Sequence, residues 1–92
     1  MRHHILVKWK KEIPQPDIAA IDQLFHQALA IDGIHSVSVH PNVINRPNRY
    51  DLLILLCMDQ GALPAYDASA MHHAWKDAYG PLIESKAIFD CE

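Results

Sequence analysis

The stretch Tyr50-Asp51-Leu52-Leu53-Ile54-Leu55-Leu56-Cys57-Met58 decides the fold. From Leu52 onward every residue is apolar, so an extended segment here carries apolar side chains on both of its faces. The run is far below the ~20 residues a membrane helix needs. It reads instead as a central strand with both faces covered. Helices can cover one face, and something else must cover the other.

Upstream, His40-Pro41-Asn42 and Asn45-Arg46-Pro47-Asn48 are rich in turn formers and mark a loop. The alternating run Ile34 to Val39 precedes it, with Ile34 on one face and His35, Val37 and Val39 on the other. Before that, Ile18, Ile21, Leu24, Phe25, Ala28 and Leu29 recur at helical spacing, with Asp17, Asp22, Gln23 and Gln27 mostly outward. Pro14 and Pro16 mark the start of this helix, and Gly33 is expected to close it as a C-terminal cap. The N-terminal strand, His3 to Lys10, sets His3, Ile5, Val7 and Trp9 on one face and His4, Leu6, Lys8 and Lys10 on the other.

Downstream, Gly61 to Tyr79 reads as a helix interrupted at Ser69, which suits the cap of a second piece, Ala70 to Tyr79. Gly80-Pro81 ends it, and Lys86 to Cys91 forms a short last strand. The order β-α-β-β-α-β contains no repeat or linker, so residues 1–92 are read as one domain. It is the split βαβ pattern, an α+β ferredoxin-like fold. A four-stranded antiparallel sheet in the order 4-1-3-2 carries the helices on one face. The second apolar face of Tyr50–Met58 is then bare, and the expected solution is a homodimer through the open sheet faces. Such a dimeric α+β barrel should bury ~2,000 Å² or more.

Composition narrows the function. The 92 residues are 50% hydrophobic and 21% charged, with a net charge of −3. That is globular, and the acidic balance offers no basic stripe for a nucleic acid backbone. A domain this small buries only ~60–65% of its unfolded surface, which again favours a partner subunit. The N-terminus has no signal-peptide pattern, and no segment suits a membrane. Two cysteines, Cys57 and Cys91, make neither a disulfide framework nor a metal site. A cytoplasmic protein with free thiols is expected. The third and fourth strands flank the first, so the two cysteine Cα atoms are about two strand spacings (~9.5 Å) apart, beyond the ~7 Å limit for a disulfide.

Seven histidines are unusual in so short a chain. His3 leads the apolar face of the first strand, and Tyr66 and His72 come from the second helical region. On an unbroken helix six residues turn through about 600°, leaving Tyr66 and His72 ~120° apart. A break at Ser69 would turn both inward. His3, Tyr66 and His72 would then line a pocket between sheet and helices, with Val7 and Trp75 as apolar wall. An imidazole beside a phenol suits proton abstraction α to a carbonyl, with the phenol donating to the developing enolate. The structural alternative is that all three are partly buried polar residues whose hydrogen bonds are satisfied.

The other histidines carry less chemistry. His4 faces the opposite side of its strand, and His73 points about 100° away from His72. His35 and His40 face opposite sides of theirs. No spacing suits a metal, and no cofactor motif, phosphate loop or nucleophile elbow is present, so neither metal nor cofactor is expected. Met71, Trp75 and Tyr79 form a core stripe. Lys8, Lys10, Lys11 and Glu12 end the first strand at solvent.

Several of these segments carry a further likeness. His3-His4-Ile5-Leu6-Val7-Lys8-Trp9-Lys10, Arg49-Tyr50-Asp51, Tyr66 with His72 and Trp75, and Ile88-Phe89-Asp90 occur in this order along nearly the whole chain. Together they resemble the stress-responsive A/B barrel family of dimeric α+β barrels. The likeness runs to a plant polyketide cyclase of that family in Lys8-Trp9-Lys10, Glu12-Ile13 and Ile88-Phe89-Asp90. The resemblance implies a homodimer holding a small hydrophobic, carbonyl-bearing molecule, with catalytic roles for His72, Tyr66 and His3 in a cofactor-independent cyclase or lyase. Its alternatives are a non-catalytic dimeric binding module and, by fold analogy, a cofactor-free monooxygenase. Ser69-Ala70 stands where many members have His-Pro.

Overall fold

The computed structural model describes residues 1–92. Strand β1 (Arg2–Trp9) alternates as its sequence requires, with His3, Ile5, Val7 and Trp9 buried. Helix α1 (Ile18–His26) starts where the Asp17 carboxylate accepts from the Ala19 amide at 3.0 Å, and it buries Ile21 and Phe25. The helix then tightens into a single 3₁₀ turn, Gln27–Ala30.

Gly33 does not cap this helix. It lies beyond the 3₁₀ turn, in a tight turn closed by the Ile34 amide donating to the Ile31 carbonyl at 3.1 Å. Its φ of +90° is one that L side chains rarely adopt, and a Cβ there would sit 3.0 Å from the Ala62 Cβ. Gly33→Ala is expected to destabilise the fold by about 1–3 kcal/mol, measurable by chemical denaturation.

Strand β2 (Ile34–Pro41) corrects the simple alternation. Ile34 pairs with Met58 and Ser36 with Cys57, so the chain bulges by one residue at His35. The extra residue puts Ile34 on the same face as Val37 and Val39, and all three reach the core. Strand β3 (Leu52–Met58) begins two residues later than the Tyr50–Met58 stretch read as a strand and buries Leu52, Ile54, Leu56 and Met58. A 3₁₀ turn (Gln60–Ala62) leads into α2 (Leu63–Ala68), and α3 (Ala70–Tyr79) follows after Ser69. A last 3₁₀ turn (Gly80–Leu82) feeds β4 (Ile83–Cys91), three residues longer at its start than expected.

The sheet runs β2-β3-β1-β4, antiparallel throughout, which is the 4-1-3-2 order read from the other edge. The core lies between one sheet face and the helices. Trp75 is its centre, with its ring 4.9 Å from Phe25 and 5.1 Å from Tyr79. No helix is long and apolar enough to cross a membrane.

The opposite face carries Leu6, Leu53, Leu55, Cys57 and Ala87 half-buried, and Phe89 at 62% exposed. Cys57 and Cys91 lie on either side of Arg2 in the ladder, and neither is in a disulfide. Thiol titration of the denatured, unreduced protein is expected to find two groups per chain.

Candidate active site

The break at Ser69 assembles the site. Ser69 has extended backbone angles (φ −69°, ψ 153°), so α2 and α3 meet at a bend instead of forming one rod. Its hydroxyl donates to the Tyr66 carbonyl at 2.7 Å and accepts from the His72 amide at 3.2 Å. One serine thus ends α2, caps α3 and bonds to the backbone of both candidate residues. The bend overcomes the ~120° separation of an unbroken helix and brings the Tyr66 and His72 rings to 4.8 Å. The alanine after Ser69, in place of proline, still opens a helix here.

Across from them, β1 presents His3. Its ring meets that of Tyr66 edge-on at 5.5 Å, and its Nδ1–H donates to the Asp90 carboxylate at 2.5 Å. Asp90 stands directly opposite His3 in the β1–β4 ladder. His3, Tyr66 and His72 therefore border one open cavity of about 300 Å³, at the small end of ligand-sized pockets.

Trp75 lines this cavity as expected. Val7 does not, being fully buried in the core behind it; Ile5, Leu63 and Ile88 supply the apolar wall instead. The sequence reading also missed three charged residues at the rim, Asp67, Lys86 and Asp90. Lys86 and Asp90 share a strand face with Ile88, so the alternation of β4 carried the signal. Its register against β1 was needed to use it. His73 folds back on the Ser69 carbonyl at 2.8 Å and takes no part.

Burial shifts the ionisation of both Tyr66 and His72. Burial pushes the Tyr66 hydroxyl well above its ordinary range, with the Asp67 charge adding to the effect. Tyr66 is therefore a neutral phenol at physiological pH, and its buried hydroxyl has no hydrogen-bond partner. Burial also pulls His72 below 6.5, helped by Lys76 and Lys86; the hydrogen bond to the Asp67 carbonyl and the Asp67 charge oppose it. His72 donates Nδ1–H to that carbonyl at 3.0 Å, which leaves the neutral ring's Nε2 as a lone-pair acceptor. A neutral imidazole and a tyrosine with an unpartnered hydroxyl thus line one cavity.

The His72 shift has a consequence for stability. Above pH 6.5 the ring is neutral in both folded and unfolded chains, and its contribution is fully present. As pH falls through 6.5 toward the lower folded value the unfolded chain takes up the proton first, so stability is lost. His72→Gln is expected to flatten this acid limb of a plot of melting midpoint against pH.

No family model matches the chain, and no match is found among the curated proteins. Solved structures do match over almost the full length. A dimeric protein of unknown function with a ferredoxin-like fold from Bacteroides fragilis superposes with a TM-score of 0.73 at 18% identity, covering 99% of this chain and 93% of that one. A DABB family protein with a ferredoxin-like fold from Mesorhizobium loti gives 0.65 at 18% identity, covering 99% and 93%. The hydroxynitrile lyase of Passiflora edulis gives 0.67 at 12% identity, covering 96% and 87%. At these identities the likeness is one of architecture: this chain has the ferredoxin-like fold.

Proposed function

We propose that this protein is a homodimeric α+β barrel that binds a small, hydrophobic carbonyl compound and performs cofactor-independent acid–base chemistry on it, as a polyketide cyclase or related lyase. The observation that carries the proposal is that Tyr66, whose buried hydroxyl has no hydrogen-bond partner, lines the same cavity as the neutral His72 ring. An unmet buried donor costs about 1–3 kcal/mol, a cost that a bound carbonyl oxygen would relieve. In the proposed reaction His72 Nε2 takes a proton α to a carbonyl, and Tyr66 O–H donates to the enolate oxygen. The enolate carbon forms the new C–C bond to a second carbonyl, and the proton on His72 returns to the alkoxide. His3, held by Asp90, orients the second oxygen.

The likeness of Lys8-Trp9-Lys10 and Ile88-Phe89-Asp90 to olivetolic acid cyclase supports the cyclase form. A hydroxynitrile lyase among the similar structures supports the lyase form. The dimer rests on the bare apolar sheet face, and dimeric proteins of the same fold support it. Free thiols on that face suit a reducing, cytoplasmic compartment.

Incubation with a panel of poly-β-ketone thioesters, with and without oxygen, tests the assignment by mass spectrometry of the products. Oxygen-independent cyclisation or cleavage is expected. Product formed only with oxygen would assign a monooxygenase, and binding without turnover a non-catalytic module.

A further inference from the structure

Two segments take no part in the cavity above: the end of β1 with the lysines that follow it, and the loop leading into β3. The fold binds them together. Lys8 Nζ donates to the Pro47 carbonyl at 3.3 Å, and the Asp51 amide donates to the Val7 carbonyl at 2.8 Å. Between them lies a cleft of about 460 Å³, larger than the His–Tyr cavity. Lys8, Lys10, Lys11, Arg46 and Arg49 line it, five of the eight lysines and arginines in the chain. Of the eleven acidic residues only Asp51 lines it. That carboxylate is engaged, accepting from the Trp9 amide at 2.8 Å. None of the five cations is in a salt bridge.

The net charge of −3 hides this segregation. The composition suggested no basic patch, yet the positive charge is gathered at one end of the sheet and the remaining surface is strongly acidic. Five cations around one cleft repel one another, and a bound anion relieves that repulsion.

We propose that this cleft is a binding site for a phosphate-bearing small molecule. Two forked guanidiniums with three ammonium groups match a multiply charged phosphate better than a single carboxylate. The volume suits a ligand of about nucleotide size. A longer polyanion is disfavoured because it must run onto the acidic surface beyond the cleft. The cleft shares no lining residue with the acid–base cavity, and His3 and Trp9 stand at opposite ends of β1, about 20 Å apart along the strand. The inference therefore stands or falls independently of the proposed chemistry.

The test is calorimetric titration at low ionic strength of the intact protein with pyrophosphate, adenosine monophosphate, acetate and a short oligothymidylate. Saturable binding of pyrophosphate or the nucleotide is expected, at least about tenfold tighter than acetate. Arg46→Ser with Arg49→Ser should weaken it at least about tenfold with an unchanged melting midpoint. Lys10→Gln with Lys11→Gln, on the other wall, should weaken it independently, so a folding defect in one variant does not obscure the result. No saturable binding, equal affinity for acetate, or unchanged affinity in both variants overturns the proposal. Tighter binding of the oligothymidylate also overturns it, in favour of a single-stranded nucleic acid site.

Discussion

Leu55→Asp is expected to give a monomer. Leu55 sits in the middle of β3 with its side chain on the face away from the helices, flanked in the ladder by His4 and Ser38. In the proposed barrel that face meets its own copy, so each substitution enters the interface twice. A carboxylate buried without a partner at such a position is worth at least ~2 kcal/mol per copy, or ~10³-fold in dimer dissociation. The helix-side core is untouched, because Ile54 and Leu56 on either side carry the buried contacts. Light scattering should therefore give one chain's mass for the variant and two for the parent at micromolar concentration. A variant that stays dimeric would assign the interface elsewhere. A parent protein that is monomeric would remove the dimer from the proposal.

The second large effect concerns the cavity. His72→Ala removes the proposed base and is expected to abolish turnover. The His72 backbone amide that caps against Ser69 remains, so the α2–α3 bend should persist. Tyr66→Phe removes only the unpartnered hydroxyl and should lower kcat by ~10²-fold or more with little change in KM, as loss of an oxyanion donor does. Because that hydroxyl pairs with nothing in the protein, Tyr66→Phe should also leave stability unchanged or raised. If Tyr66 is structural, the same substitution lowers the melting midpoint and changes no rate.

Much of this architecture was legible because each element announces its own period. The doubly apolar Leu52–Met58 run required a central strand with two covers, and Ser69 marked the helix break that brings Tyr66 to His72. The failures are equally specific. The bulge at His35 could not be read from Ile34–Val39, since an extra residue leaves no local mark and only the partner strand reveals it. Gly33 signalled a positive φ correctly, but a helix cap and a turn two residues further on demand the same residue. Val7 was placed in the pocket wall from its strand face alone. Sharing a face with His3 does not put a residue at the same depth, and Ile5, nearer to His3, takes that role. The Asp90–His3 pair depends on the β1–β4 register, a long-range property. The basic cleft escaped for the opposite reason: a net charge averages over a surface that the fold separates.

In the proposed reaction His72 removes a proton next to a carbonyl while Tyr66 stabilises the resulting enolate. The most direct measurement needs no knowledge of the natural product. The protein is incubated in deuterated buffer with a panel of β-ketoacyl thioesters, and α-proton exchange is followed by NMR for the parent, His72→Gln and Tyr66→Phe. Exchange of at least one member is expected to be accelerated over buffer, lost in His72→Gln and slowed ~10²-fold or more in Tyr66→Phe. Exchange no faster than in buffer across the panel, or equally fast in His72→Gln, would contradict that reaction.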